Sequence, residues 1–180
     1  MVNLNEFIQL YENTITPDIC QYLIDLFEQN PELWNDGDDS STVFNLTSVR
    51  SLSEEVDKIH KDLIKNVFEF RDKYYELFGD DVFPEKHAFE QFKIQKYEPS
   101  QDGTYETIVD IKDYDSARRF LSFTWFLNNN QAGQIEFLDF FIQPEAGSLL
   151  INPPFWMYPH RKHKPIEDSQ YILKTYLHYK

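Results

Sequence analysis

The sequence has little cysteine and no long apolar run. Cys20 is the only cysteine among 180 residues, which excludes an internal disulfide and a cysteine-rich zinc site. No apolar stretch approaches the roughly 18 residues that a membrane-spanning helix needs, and Met1–Leu10 lacks the basic start and apolar run of a secretion signal. The sequence therefore predicts a cytoplasmic protein that does not associate with membranes.

Positive charge is also scarce. The chain has 17 Lys and Arg against 31 Asp and Glu, which gives a formal net charge of −14. A surface of that sign is repelled by the phosphate backbone of nucleic acids and by anionic lipid. We therefore expect no nucleic-acid partner.

Aromatic residues, in contrast, are abundant. They make up 17% of the chain, with 16 Phe and 11 Tyr, which is ample material for a hydrophobic core. A chain of this length suits one domain. We predict a single domain over residues 1–180, with a helical part over residues 1–84 and the β-sheet core over residues 85–180.

Two stretches in the first half have helical spacing of their apolar residues. Thr16 supplies a capping oxygen and Pro17 a first-turn proline, so the apolar residues that follow predict a helix ending near Gln29. A longer helix is predicted from Ser53 to Gly79, with apolar side chains along one face.

After Pro84 the pattern changes from helical to extended. Short apolar or alternating runs are separated by turn residues, which favours an antiparallel sandwich or barrel. Together with an opening strand at residues 7–10, the predicted strands cover residues 92–97, 105–111, 120–127, 134–140, 149–151 and 170–176. The predicted fold class is α+β, mainly β, with the helices first.

The segment from Gly147 to Tyr176 organises this second half. A short apolar run, Leu149–Ile151, ends at the double proline Pro153-Pro154, which is typical of a buried strand. An aromatic loop then leads to His160 and several basic residues before the last strand. A histidine held between two strands beside cations could present a metal ligand next to an anionic co-substrate.

The order of five segments carries a family resemblance. They are Ile94–Pro99, Arg119–Asn128, Ala132–Phe137, Pro144–Pro153 and His160-Arg161. In this order and spacing, the second half of the chain resembles the iron(II)/2-oxoglutarate dioxygenases of the prolyl 4-hydroxylase-like group. The resemblance implies a double-stranded β-helix, or jelly roll, with the N-terminal helices packed on one sheet.

The same resemblance implies an incomplete metal site. The family binds iron(II) with two histidines and one carboxylate, and leaves positions open for 2-oxoglutarate and dioxygen. His160 matches the distal histidine. Tyr105–Asp110 matches the frame Tyr-x-x-His-x-Asp, with Ile108 in place of the histidine and Asp110 as the carboxylate. Because isoleucine cannot coordinate a metal, only Asp110 and His160 remain as ligands.

The co-substrate residues also depart from the family pattern. The family places a cation roughly ten residues after the distal histidine to pair with the outer carboxylate of 2-oxoglutarate, but position 170 is Gln. Lys174 lies on the same face of the predicted strand and could substitute, although a solvated lysine is the more ordinary reading. With Gln170 and Lys174, we assign Tyr97 and Arg161 to co-substrate binding.

The sequence leaves other ligand assignments open. The frame could slide by one residue, which would map the proximal pair to Val109 and Ile111 and remove both ligands. Asp113 is a fallback carboxylate. His87 or His163 could reach a metal if its segment folds toward the site.

Three functions are compatible with these residues. We favour a divergent dioxygenase-like protein with weak or no hydroxylase activity, which would bind a small anion or a partner in its pocket. An active hydroxylase with an altered ligand set would use Fe(II) and 2-oxoglutarate on a small molecule or a peptide. A non-enzymatic assembly protein would have kept only the jelly roll.

Overall fold

Two α-helices lie in the first half of the chain, as the sequence predicts. The computed structural model describes residues 3–37, 40–101 and 103–180. Helix α1 (Pro17–Glu28) begins where Thr16 Oγ1 accepts a hydrogen bond from the Ile19 N–H, which fixes its first turn. Helix α2 (Glu54–Phe78) begins in the same way at Ser53 and ends at Gly79, whose φ of 86° favours glycine. Neither helix is long and apolar enough to cross a membrane.

The described residues form one large and one small antiparallel sheet. The strands are β1 (Gln9–Tyr11), β2 (Trp34–Asp36), β3 (Thr42–Asn45), β4 (His87–Phe89), β5 (Lys93–Tyr97), β6 (Arg119–Phe126), β7 (Ile135–Glu136), β8 (Phe141–Ile142), β9 (Leu149–Asn152), β10 (Arg161–Lys162) and β11 (Gln170–Tyr179). The large sheet has eight strands in the order β1-β9-β6-β11-β5-β3-β2, with β4 paired to β11. The small sheet has three strands in the order β10-β7-β8. This is the mainly β, jelly-roll architecture that the sequence predicts, with both helices before the central strands.

The structure corrects two of the predicted strands. Residues 105–111 contain several β-branched side chains, which suggested a strand. In the structure, this part of the chain makes only isolated β-bridges, at Thr104 and Ile108. Its backbone hydrogen bonds to residues 160–164 are too widely spaced to make a continuous ladder. The predicted strand over residues 134–140 is reduced to β7, and a turn separates it from β8.

The N-terminal part of the chain also contributes to the sheet. We predicted a helical part over residues 1–84 and a sheet core over residues 85–180, but β1, β2 and β3 belong to the large sheet. Strand β1 overlaps the predicted opening strand at residues 7–10. Strands β2 and β3, which have only three and four residues, were not predicted.

The large sheet buries a different apolar cluster on each face. On one face the helices cover it, with side chains such as Leu23 and Val67 against Trp125 and Leu173. The other cluster includes Phe126, Leu150 and Ile172 of the large sheet and Ile135 and Ile142 of the small one. Each large buried side chain contributes about 1.5–3 kcal/mol, so the helix-side cluster supplies most of the apolar stabilisation.

Strand β11 shows how the two faces are assigned. Leu173 and Leu177 belong to the helix-side cluster, whereas Ile172 belongs to the cluster between the sheets. Because side chains alternate along a strand, Lys174 and Tyr176 share the inner face with Ile172. The inner face of β11 therefore brings polar groups into the space between the sheets.

Candidate functional site

Ile108 and His160 are directly opposed across two segments of the chain. The Ile108 N–H donates to the His160 carbonyl at 2.8 Å, and the His160 N–H donates to the Ile108 carbonyl at 3.0 Å. Opposed residues of an antiparallel pair have side chains on one face, with Cβ atoms about 5 Å apart. The side chains of Ile108 and His160 therefore project from the same face of this bridge.

Asp110 is buried and makes an ion pair with Lys174. Lys174 Nζ donates to Asp110 Oδ1 at 2.7 Å, and the Tyr176 hydroxyl donates to the same oxygen at 2.8 Å. The side chains of Lys174 and Asp110 are only 11% and 5% exposed. The reading of Lys174 as a solvated side chain is therefore wrong, because the burial of Asp110 demands a cation. Asp110 Oδ2 is buried and has no hydrogen-bond partner among the described residues.

These charges shift the protonation equilibria of the site. Burial alone would raise the pKa of the Asp110 carboxyl, but the charge of Lys174 and the hydrogen bonds from Lys174 and Tyr176 lower it well below its usual value. Burial lowers the pKa of His160, against the opposing charge of Asp110, so the imidazole is neutral near pH 7. Burial and the Asp110 charge raise the pKa of Tyr176, which stays a donor.

Arg119 fixes the segment that carries Asp110. Arg119 Nη1 donates to the Asp110 carbonyl at 2.8 Å, and its other nitrogens bind both carboxylate oxygens of Glu90 at 2.7 and 2.9 Å. The guanidinium carbon also lies 4.1 Å from the ring centroid of Tyr176. Sequence reasoning missed these three residues, although Tyr176 could have been found from its position two residues after Lys174 on the same strand face.

The ion pair lies at the wall of an open cavity of about 480 Å³. Ile108, Asp110, Lys174 and Tyr176 line it. His160 is not among its lining residues in the described structure. It packs against Phe137, with 5.4 Å between ring centroids. Of the two predicted metal ligands, Asp110 thus lines the cavity, whereas His160 does not.

The predicted co-substrate residues Tyr97 and Gln170 line a second, nearly closed cavity. It has a volume of about 10 Å³, which is the smallest space that holds one water molecule. Lys162, which was not among the predicted site residues, lines both cavities and donates to the Tyr97 hydroxyl. Gln170 Nε2 donates to Asn128 Oδ1 at 3.2 Å, so this amide is held within the protein.

Arg161 lies away from both cavities in the described structure. Its side chain binds both oxygens of Glu136, at 2.6 and 2.7 Å, and is 42% exposed. His163 Nε2 lies 2.8 Å from the same carboxylate. Hydrogen bonds from Arg161 and His163 lower the pKa of Glu136 to about 2. Arg161 and Lys162 are neighbours on β10, and strand alternation sends the first outward and the second inward.

The fallback ligands have other partners. Asp113 Oδ1 accepts from the Ser116 N–H and hydroxyl at 2.8 and 2.6 Å. Arg71 Nη1 lies 2.9 Å from His87 Nε2. Within residues 3–37, 40–101 and 103–180, no group of three or more His, Cys, Asp or Glu side chains could hold a metal ion.

Solved structures of prolyl hydroxylases share this fold. A viral collagen prolyl hydroxylase from Paramecium Bursaria Chlorella virus-1, solved with 2-oxoglutarate, is 18% identical with a TM-score of 0.71, and the alignment covers 97% of each chain. A Pseudomonas putida prolyl-4-hydroxylase is 15% identical with a TM-score of 0.70, over 97% of this chain and 93% of that one.

A third similar structure contains a peptide. The prolyl hydroxylase of Trichoplax adhaerens, in complex with a peptide fragment of the hypoxia inducible factor oxygen degradation domain, is 13% identical with a TM-score of 0.68, over 96% of this chain and 83% of that one. The sequence matches no protein-family model and no curated protein. At these identities the likeness shows the prolyl hydroxylase fold and confirms the predicted jelly roll.

Proposed function

We propose that this chain is a catalytically degenerate protein of the prolyl hydroxylase fold, which binds a small molecule or a peptide without iron(II) or 2-oxoglutarate. The observation that carries this proposal is the ion pair of Asp110 with Lys174, at 2.7 Å. It engages the one carboxylate that the sequence frame offers to a metal.

The residues present do not fit an iron(II) site of two histidines and one carboxylate. Ile108 has no donor atom, and Asp110 Oδ1 already accepts from Lys174 and Tyr176. A second cation about 4 Å from the ammonium would be repelled by about 4 kcal/mol per unit charge at an effective dielectric constant of 20. Metal binding would therefore require Lys174 to leave a buried partner.

The co-substrate side of the site supports the same conclusion. The cavity lined by Tyr97 and Gln170 has a volume of about 10 Å³, and a carboxylate group would not enter it without movement of the walls. Gln170 brings no charge, and Lys162 already donates to the Tyr97 hydroxyl. We therefore expect 2-oxoglutarate to bind poorly.

The open cavity is what remains for binding. Its volume of about 480 Å³ falls in the range of about 300–1,000 Å³ that is usual for small-molecule sites. Lys93, Lys112 and Asn45 are among its lining residues, so polar ligands are favoured over apolar ones. A peptide is a second class of occupant, since one protein of this fold was solved with a peptide fragment.

Anaerobic calorimetry with Fe(II), followed by 2-oxoglutarate, tests the proposal on the wild-type protein. We expect no saturable binding of either at micromolar concentration, and no conversion of 2-oxoglutarate to succinate. Micromolar binding of both, with turnover, would overturn it. A solved prolyl hydroxylase of similar fold serves as the positive control for the assay.

One observation favours a second candidate, an active hydroxylase with an altered ligand set. Asp110 Oδ2 is buried without a hydrogen-bond partner among the described residues, and such an oxygen is costly unless something binds it. If that partner were a metal held by Asp110, His160 and water, the same calorimetry would detect it.

A further inference from the structure

We infer that the ammonium of Lys174 has taken the place of a metal cation as the counter-ion of Asp110, so the chain fills its own cation site. This inference rests on the proposed function and names what keeps metal out. It predicts that the site accepts a divalent metal once Lys174 is removed and a nitrogen donor replaces Ile108.

The first argument is the position of the charge. Lys174 Nζ lies 2.7 Å from Asp110 Oδ1, and Asp110 is the residue that matches the family's carboxylate ligand. A metal cation bound to Asp110 would meet the same carboxylate.

The second argument is the like charge that lies next to Lys174. On the large sheet it is directly opposed to Lys93 of β5, and Lys93 lines the same cavity. Like charges directly opposed on a sheet are unfavourable. The carboxylate of Asp110 is what holds the ammonium in a position that its neighbour on the sheet opposes.

The third argument is the acceptor capacity of Asp110 that the Lys174 ammonium does not use. Lys174 and Tyr176 both donate to Oδ1, while Oδ2 is buried with no partner among the described residues. A carboxylate has about four acceptor positions and a buried one is usually more fully satisfied. The Asp110 side chain therefore keeps ligand capacity that its present partners do not use.

Cobalt(II) titration of variants tests this inference, with visible absorption and calorimetry as readouts. Wild-type protein, Lys174→Met, Ile108→His and the double variant Ile108→His/Lys174→Met are compared. We expect the double variant to bind Co(II) at least about 100-fold more tightly than Ile108→His alone, because an ammonium about 4 Å away at an effective dielectric constant of 20 changes the equilibrium constant by ~1,000-fold for each unit of charge on the ion.

Two controls make the result specific. Lys93→Met in the Ile108→His background removes a more exposed lysine of the same cavity and should raise Co(II) affinity far less than Lys174→Met does. Adding Asp110→Asn to the double variant should abolish the gain. If Lys174→Met fails to fold, Lys174→Gln in the same background carries the test, since its amide can still donate to Asp110.

The outcomes separate this inference from the proposed function. If the double variant binds Co(II) no better than Ile108→His, Lys174 does not occupy the place of a cation, and the inference is overturned. The proposed function would survive that result, because it depends on the wild-type protein. Tight Fe(II) binding by wild-type protein would overturn the proposed function instead.

Discussion

Two ion pairs flank His160, and they differ mainly in burial. Asp110 and Lys174 have side chains that are 5% and 11% exposed, whereas those of Glu136 and Arg161 are 20% and 42% exposed. Both pairs have short nitrogen–oxygen distances, 2.7 and 2.6 Å. Distance alone would rank them as equals, but a buried charge that loses its partner cannot recover solvation by water.

The comparison shows which cation near the histidine matters to the site. Arg161 is adjacent to His160 in sequence, yet its guanidinium turns away to Glu136. Lys174 is 14 positions further along the chain, yet its ammonium reaches the carboxylate. Strand alternation on β10 and β11, and not closeness in sequence, decides which charge enters the space between the sheets.

The largest expected effect on stability comes from removing the cation of the buried pair and leaving its carboxylate in place. Lys174→Met should lower the free energy of unfolding by about 3–5 kcal/mol at pH 7, because it leaves the Asp110 carboxylate buried and without a cation. Urea denaturation followed by circular dichroism measures this loss. A loss below about 1 kcal/mol, the range of an exposed pair, would contradict the burial of the site.

A double variant is the matched control for that prediction. Asp110→Asn/Lys174→Met removes both charges, so it should recover much of the stability that Lys174→Met loses. Equal instability of the single and double variants would mean that the lysine stabilises the fold by packing and not by its charge.

An effect of intermediate size is expected in the pH dependence of stability at the buried pair. The pKa of Asp110 is depressed in the folded wild-type protein, so its contribution to stability is fully present above the usual Asp value and is lost as the pH falls below it. In Lys174→Met, burial without the cation should raise that pKa. The variant should therefore gain stability relative to wild type as the pH falls from 7 to 4. A constant difference over this interval, measured by urea denaturation at each pH, would contradict the prediction.

The smallest effect is expected at the exposed pair. Arg161→Met should shift the urea midpoint far less than Lys174→Met, because water can solvate the Glu136 carboxylate that remains. The pKa of Glu136, about 2 in the wild-type protein, should rise toward its usual value, so any loss would appear above pH 4 and vanish toward pH 2. NMR titration of the Glu136 carboxyl carbon measures that change directly, and an unchanged pKa would contradict the pairing.

The fold was readable from the sequence where local patterns are strong. The capping residues Thr16 and Ser53 and the terminal Gly79 predicted both helices closely, because capping and left-handed conformations are local properties. Among the strands of two to four residues, β9 was predicted from its apolar run before the double proline and β1 only in part, whereas β2, β3 and β10 were not predicted. Their pairing depends on partners far along the chain, as for β1 with β9.

For the candidate site, the sequence named residues but could not give their contacts. The sequence identified Asp110, His160 and Ile108 and named Lys174 as a possible substitute cation. It could not show that Lys174 would bind Asp110 instead of a co-substrate, because that contact joins residues 64 positions apart. Lys162 and Arg119 were missed since no sequence spacing marks them, and their roles appear only when the sheets close.

The alternation along β11 has a consequence for how this protein can change over evolutionary time. Leu173 and Leu177 hold the helices on one side, while Lys174 and Tyr176 stand in the cavity on the other. Substitutions at the first two positions would act on the packing of the helices, and those at the second two on the charges of the cavity. Because Asp110 is buried, an evolutionary change at Lys174 would also have to compensate the charge of Asp110 to keep the protein stable.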